Sequence, residues 1–373
     1  MKTILISFFN STNLGDLILS ENMCRLIAYD STVKCYSFPG FAKKEKLITN
    51  LQDSKNRTVC KNRVKSKIIP IYRYLRIRYL QNYRELELDI ADADRIIIGG
   101  GNMLMDLDFV PNYIAYFHKL IEISEKYHKK VWVLCVGVGP LQNKWQEKML
   151  CSALNKCERI ATRDRIGRDS LKRLGLAKTV EVCPDCAFLE KRLVPAQKKQ
   201  IIAVNICLAE QYKEAYGELI LQINKRFPQY SIILFSTEIK DYVDIEHIRQ
   251  YKDIAAITET LKIYEKTDLY TLYAQTKLVV ATRMHAMILA YTQDVPVIGL
   301  SWSKKVDGLF DLMQRPGDVF AQNSLADLTG AILCSLSKKL ENYDQECAHI
   351  RNMVERNRQI IERTFLGGKP IEF

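Results

Sequence analysis

Residues 277–311 read KLVVATRMHAMILAYTQDVPVIGLSWSKKVDGLFD. Leu278–Ala281 is a short β-branched apolar run, too short for a helix and bounded by the polar turn Thr282-Arg283-Met284-His285. Ala286–Tyr291 continues as a small-residue apolar helix suited to packing on a sheet, and Val295–Leu300 is the next buried strand. Strand, turn, helix and strand in this order predict a parallel α/β sheet. In such sheets ligands bind beyond the carboxyl ends of the strands, where helix N-termini present free N–H groups. Arg283, His285 and Lys305 all fall at such ends. Two cations and an imidazole at neighbouring strand ends predict a site for a small, multiply charged anion.

Working outward, both halves of the chain alternate strands with helices. The first half opens with a strand over Thr3–Phe9, then the polar turn Asn10–Asp16 and a helix to about Ala28. Gly15 stands alone, so the turn is not the glycine-rich fingerprint of a dinucleotide site. Asp16 there is a proton acceptor, a ligand for a sugar hydroxyl or a helix cap, and the residues alone leave the three open. A second landmark is the stretch Ala91–Asn102, in which a strand stops at Gly99-Gly100-Gly101-Asn102. Three glycines let another chain segment or a ligand approach closely, and their N–H groups are able to form an anion nest. Arg163 follows the short strand Arg159–Ala161, much as Arg283 follows its own. The second half restarts at Ile201–Ile206 after the polar segment 193–200. The expected organisation is two doubly wound Rossmann-like domains facing a cleft, over residues 1–192 and 200–337, with a polar helical tail at 338–373 packing back across them.

Length and composition agree with two ordinary globular domains: 373 residues, 47% hydrophobic and 26% charged. No apolar run approaches the ~20 residues of a membrane-spanning helix. The N-terminal apolar run reads as a sheet strand rather than a leader, so a cytoplasmic location is expected. Eleven cysteines, mostly inside apolar segments, fit reduced buried thiols. Cys183-Pro184-Asp185-Cys186 has no second pair or nearby His to complete a zinc site, and no metal is expected.

The net charge of +12 is concentrated. Residues 43–84 hold thirteen Lys and Arg against Glu45 and Asp53, which accounts for +11 of it. Ile68, Tyr72, Leu75 and Tyr79 share one helical face in this insertion, with Arg73, Arg76 and Arg84 elsewhere. The pattern suits a helix resting on an anionic membrane surface. A solvated insertion without a role ranks next, and nucleic-acid backbone binding, the rival use of the same charges, ranks last.

Together, Asn13-Leu14-Gly15-Asp16, Gly99–Asn102, Gly137–Pro140, Arg163-Asp164 with Ser170, Pro184-Asp185, Arg283–Ala286 and Pro296–Ile298 through Lys305 resemble the polysaccharide pyruvyl transferases. The resemblance runs from about residue 3 to residue 312. It implies a fold similar to the two-domain GT-B glycosyltransferases and transfer of pyruvate from phosphoenolpyruvate to a sugar as a cyclic ketal. By resemblance, Arg163, Arg283 and Lys305 bind the phosphate and carboxylate of the donor. His285, or an acid it orients, protonates the donor methylene, and Asp16 orients or deprotonates the acceptor. Gly100, Gly101 and Asn102 join the substrate-binding set. After Ser301 the family tends to carry an aromatic residue, Asp and Pro before its Lys, whereas Trp302-Ser303-Lys304 precede Lys305 here. Lys304 therefore competes with Lys305 for the role. No cofactor beyond the donor substrate is implied. A polyprenyl-phosphate-linked sugar at the inner membrane leaflet is an expected acceptor that gives the basic insertion a purpose, and nucleic acid is not an expected partner. A glycosyltransferase with a nucleotide-sugar donor and a non-catalytic binding module on the same fold are the competing readings.

Overall fold

The computed structural model describes residues 1–46, 65–193, 198–207 and 210–366. Residues 47–64 of the basic insertion and 194–197 of the expected linker lie outside the described residues. The chain forms two compact units: Met1–Ser11 with Leu19–Cys186 and Ile360–Phe373, and Thr12–Ile18 with Ala187–Gln359.

The first unit is built on β1 (Lys2–Ser7), β2 (Thr32–Ser37), β3 (Arg95–Gly99), β4 (Lys130–Val136), β5 (Arg159–Thr162) and β6 (Glu181–Val182). They form one parallel sheet in the order β2-β1-β3-β4-β5-β6. All five residues of β3 are buried, as the Ile96-Ile97-Ile98 run requires of a strand covered on both faces. Between the strands run α1 (Leu14–Ala28), whose residues to Ile18 belong to the second unit, α2 (Lys65–Leu75), α3 (Arg84–Asp92), α4 (Tyr113–Lys126), α5 (Lys144–Leu154) and α6 (Arg165–Arg173). α2 passes directly into a π-helical turn, Arg76–Leu80.

The second unit contains β7 (Ile201–Asn205), β8 (Ser231–Ser236), β9 (Thr258–Lys262), β10 (Leu278–Ala281), β11 (Val297–Ser301) and β12 (Val319–Ala321), again all parallel. Their order is β12-β11-β10-β7-β8-β9. The direction of winding reverses between β10 and β7, so the topological switch point lies at the carboxyl ends of those two strands. The helices are α7 (Lys213–Arg226), α8 (Tyr242–Arg249), the single turn α9 (Ile254–Ile257), α10 (Lys266–Gln275), α11 (Met284–Thr292), α12 (Lys304–Leu312), α13 (Leu325–Glu341) and α14 (Tyr343–Leu366).

Helix α1 begins earlier than the apolar pattern predicts, and polar side chains cap both it and α6. The Asn13 side-chain oxygen accepts the Gly15 N–H at 2.9 Å, which starts α1 at Leu14 and places Asp16 within its first turn. Asp164 accepts the Gly167 N–H at 2.6 Å and starts α6 at Arg165. Among the described residues no helix is long and apolar enough to cross a membrane.

Candidate functional site

The switch point of the second unit is tied together by its own polar residues. Asn205, the last residue of β7, accepts the Arg283 backbone N–H at 3.0 Å through its side-chain oxygen. The Thr282 hydroxyl donates to the Asn205 carbonyl at 3.2 Å and shares a 2.7 Å hydrogen bond with the buried Tyr216 hydroxyl. These contacts fix where β10 ends and α11 begins, and hence where Arg283 and His285 stand.

His285 occupies the first turn of α11 and is 7% exposed. Its Nδ1 lies 3.6 Å from the Asp16 carboxylate, within ion-pair reach though beyond a hydrogen bond. The two catalytic candidates, remote in sequence, are thus neighbours in one unit. The start of α1 is held there by the Leu14 N–H donating to the Thr237 carbonyl at 3.1 Å and by an antiparallel bridge between Asn13 and Glu238. Gly15 explains the close approach. A Cβ on it would fall 2.2 Å from His285 Cβ and 2.4 Å from Nδ1, so no side chain fits. In Asn13-Leu14-Gly15-Asp16, then, the first residue caps the helix, the second bonds to the Thr237 carbonyl, the third clears the imidazole and the fourth faces it.

Arg283 is spent more fully than its position in the sequence predicts. Nε donates to Asp241 at 2.5 Å and Nη2 donates to the same carboxylate at 2.8 Å, while Nη2 also lies 2.5 Å from Glu238. Burial works against its charge, but the hydrogen bonds and charges of Asp241 and Glu238 outweigh this and hold its pKa above the ordinary arginine range. Glu238 in turn meets Lys240 at 2.7 Å, and Asp241 accepts the Ser236 hydroxyl at 2.7 Å. The sequence reading missed both carboxylates. The available signal was their place, immediately after the apolar strand β8 and beside the switch point.

Lys304 and Lys305 open α12. Lys304 is exposed, whereas Lys305 is half-buried with Nζ 4.0 Å over the Trp302 ring. Lys305 and Arg283 both act electrostatically on the Cys207 thiol, yet burial prevails and pushes that group up to about 12. Of the two lysines, Lys305 is the less exposed.

The remaining expected residues sit in the first unit. Arg163 is 5% exposed and lies 3.6 Å from Asp185 and 3.7 Å from Asp164, with Nε buried and not hydrogen-bonded. Gly137 makes room for it, since a Cβ there would fall 2.8 Å from Arg163 Nη2. The expected nest at Gly100–Asn102 is partly closed. Gly100 N–H donates to the Leu134 carbonyl at 3.2 Å, and the Asn102 amide donates to the Gly139 carbonyl at 2.9 Å. Gly100 and Gly101 adopt φ values of +80° and +63°, and a Cβ at Gly100 would meet Leu19 at 2.0 Å, which accounts for the first of them by conformation and crowding. The thiols of Cys183 and Cys186 lie 3.0 and 3.4 Å from Cys135, deep in the unit. Among the described residues no group of three or more ligating side chains is arranged to hold a metal ion.

Two parallel six-stranded sheets with interleaved helices, and a polar site at a switch point, define a GT-B-like protein of the Rossmann type. Over nearly its whole length the chain is similar in fold to Anabaena HepE in complex with UDP (10% identity, 98% of this chain and 97% of that one, TM-score 0.61). It is likewise similar to S. aureus MnaA with UDP (9% identity, 100% of both chains, TM-score 0.58). It spans only 55% of accessory secretory protein 1, 2 and 3 of Streptococcus pneumoniae (10% identity over 81% of this chain, TM-score 0.47). No curated protein matches the sequence. The family model described as polysaccharide pyruvyl transferase matches residues 13–304. The chain belongs to the polysaccharide pyruvyl transferase family, which makes it a transferase of polysaccharide biosynthesis.

Proposed function

We propose that the protein moves the pyruvyl group of phosphoenolpyruvate onto two hydroxyls of a sugar as a cyclic ketal, with release of inorganic phosphate. The observation that carries this reading is the pairing of His285 with Asp16 over Gly15 at the switch point. His285 donates a proton to the methylene carbon of the donor, leaving a cation-like centre at the carbon that bears phosphate. A sugar hydroxyl attacks that carbon, the C–O bond to phosphate breaks, and the second hydroxyl closes the ring. Each hydroxyl loses one proton: the first goes to Asp16, which returns it to His285, and the second goes to the departing phosphate. Imidazole suits the proton donor because its ordinary pKa lies near working pH.

Lys305 and the positive N-terminal ends of the helix dipoles of α11 and α12 take the donor's negative charge. Arg283 contributes through Nη1, the nitrogen not engaged by Asp241 or Glu238. In the first unit Arg163 is the anion-binding residue, since Gly100 and Asn102 already spend donors on the Leu134 and Gly139 carbonyls. The acceptor is a sugar of a cell-surface polysaccharide or its polyprenyl-phosphate-linked precursor, met by the enzyme at the inner face of the plasma membrane.

His285→Ala should lower phosphate release from phosphoenolpyruvate and acceptor by at least about a thousandfold while the circular dichroism stays unchanged. Near-normal turnover in this variant would refute the role. Because HepE and MnaA are solved with UDP and share this fold, a nucleotide-sugar donor is the competing reading. A thermal shift with UDP and none with phosphoenolpyruvate would decide for it.

A further inference from the structure

Among the described residues, helix α2 and its π-helical continuation are attached to the first unit through Tyr74, Ile77 and Arg78. Ile77 is buried, Arg78 donates to Glu122 at 2.7 Å and contacts His118 at 3.1 Å, and the Tyr74 ring meets Trp145 edge-on at 5.1 Å. Around these contacts Ile71, Tyr72, Leu75 and Tyr79 stay exposed, Tyr79 to 72%. From Lys65 to Arg84 the sequence carries six basic residues and no acidic one.

A second element offers the same chemistry. Between β3 and α4, the Asp106 carboxylate accepts the N–H groups of Asn112, Tyr113 and Ile114 at 3.0–3.1 Å. The Phe109 carbonyl accepts from Asn143 at 2.7 Å, and the Asp108 carbonyl from Gln146 at 2.7 Å. Held by these hydrogen bonds, this loop leaves Leu107 and Phe109 exposed to 68% and 73%. Large apolar side chains held out on a fixed loop mark an interaction surface.

A cavity of about 640 Å³ lies between the helix and the loop, lined by Arg73, Arg76, Ile77, Leu107, Tyr113 and Tyr116 among others. Asp106 and Asp108 line it too: Asp106 accepts the Asn112 N–H through both oxygens, and Asp108 accepts the Asn112 side-chain amide through one. Two exposed guanidiniums above an apolar floor fit a phosphate ester that continues into hydrocarbon. A nucleic-acid backbone would use the guanidiniums and leave Leu107, Phe109 and Tyr79 in water.

We propose that this face docks the enzyme on an anionic bilayer, with Arg73 and Arg76 holding a lipid phosphate in the cavity and Leu107, Phe109 and the helix stripe entering the headgroup–acyl boundary. What the docking serves rests on the function proposed above; the docking itself does not. Vesicles of phosphatidylglycerol and phosphatidylcholine, with pure phosphatidylcholine beside them, test it by cosedimentation without substrates. The wild type binds only the anionic vesicles. Leu107→Ser with Phe109→Ser, and separately Arg73→Gln with Arg76→Gln, each reduce binding at least tenfold. Both variants keep the wild-type rate of phosphate release on a soluble sugar, a readout that judges the proposed reaction separately. Equal binding to neutral vesicles, retention by either variant, or binding of single-stranded RNA with no binding of vesicles overturns the proposal. So does a dimer in sedimentation velocity that dissociates on Leu107→Ser with Phe109→Ser, which would give this face to a second copy of the chain.

Discussion

Arg163 and Arg283 stand at the same place in their two units, after a short buried strand and before a helix, and each is bracketed by two carboxylates. They differ in distance. Arg283 is bonded at 2.5–2.8 Å to Asp241 and Glu238, whereas Arg163 stays 3.6–3.7 Å from Asp164 and Asp185 with Nε unbonded. A charge-assisted hydrogen bond weakens steeply across that gap. Arg283 is therefore chiefly the clasp that holds the loop after β8 at the switch point. Arg163 is caged without being satisfied, and an added carboxylate or phosphate oxygen would improve its surroundings.

The largest expected effect breaks the clasp. Arg283→Met leaves two carboxylates buried without their shared cation, which should cost roughly 3–5 kcal/mol. Adding Asp241→Asn should recover part of that loss by removing one of the stranded charges. Arg163→Met, which removes only stretched ion pairs, should cost less than half as much. Thermal unfolding of the three variants checks the ranking, and equal losses for the two arginines would erase the distinction drawn between them.

The next effect concerns the imidazole beside the clasp. Gly15→Ala places a methyl group where His285 Cβ and Cγ already stand, at 2.2 and 2.3 Å, so the ring or the start of α1 must move. A displacement of that size should lower kcat by about a hundredfold. Gly175→Ala is the contrasting case, because Gly175 has φ +82° and open space around it. That change should cost about 1 kcal/mol of stability through backbone strain and leave kcat unchanged. A Gly15→Ala enzyme with a wild-type kcat would show that His285 tolerates displacement and weaken its assigned role.

The same regions show what the sequence could disclose. Strands buried on both faces, such as β3, β7 and β10, are continuous β-branched runs and were legible directly. The edge strands β9 (TETLK) and β12 (VFA) were not, because they are short, partly exposed and, in β9, polar. Each is defined by pairing with a neighbour rather than by its own pattern. Arg283, His285 and Lys305 were readable because strand ends in a parallel sheet are functional positions. Their partners were not. Asp16 reaches His285 only through tertiary packing, and Glu238 and Asp241 look like ordinary loop acids until β8 is placed beside the switch point. The reason for Gly15 was hidden for the same cause: it answers to a side chain far along the chain, not to its own backbone angles.

The smallest expected effect uses a third corner, where one carboxylate serves several donors. Asp89, with its side chain 12% exposed, accepts from Lys34 at 2.7 Å and from the Tyr36 hydroxyl at 2.5 Å, and lies 2.9 Å from Lys43. Burial alone would raise its pKa, but the hydrogen bonds from Lys34, Tyr36 and Lys43 prevail and lower it to about 2. An unfolded Asp titrates near ~3.9. The folded value is depressed, so the stability that Asp89 supplies is fully present above about pH 4 and disappears as pH falls through about 2. Solvent screening keeps the contribution to roughly 1 kcal/mol. Asp89→Asn should therefore unfold at a lower temperature than the wild type from pH 7 down to 5, and the difference should close between pH 4 and 2. A gap that persists at pH 2 would mean that shape and hydrogen bonding, not charge, hold this corner. The separation between satisfied and merely neighbouring charges, on which Arg283 and Arg163 were told apart, would then lose its simplest control.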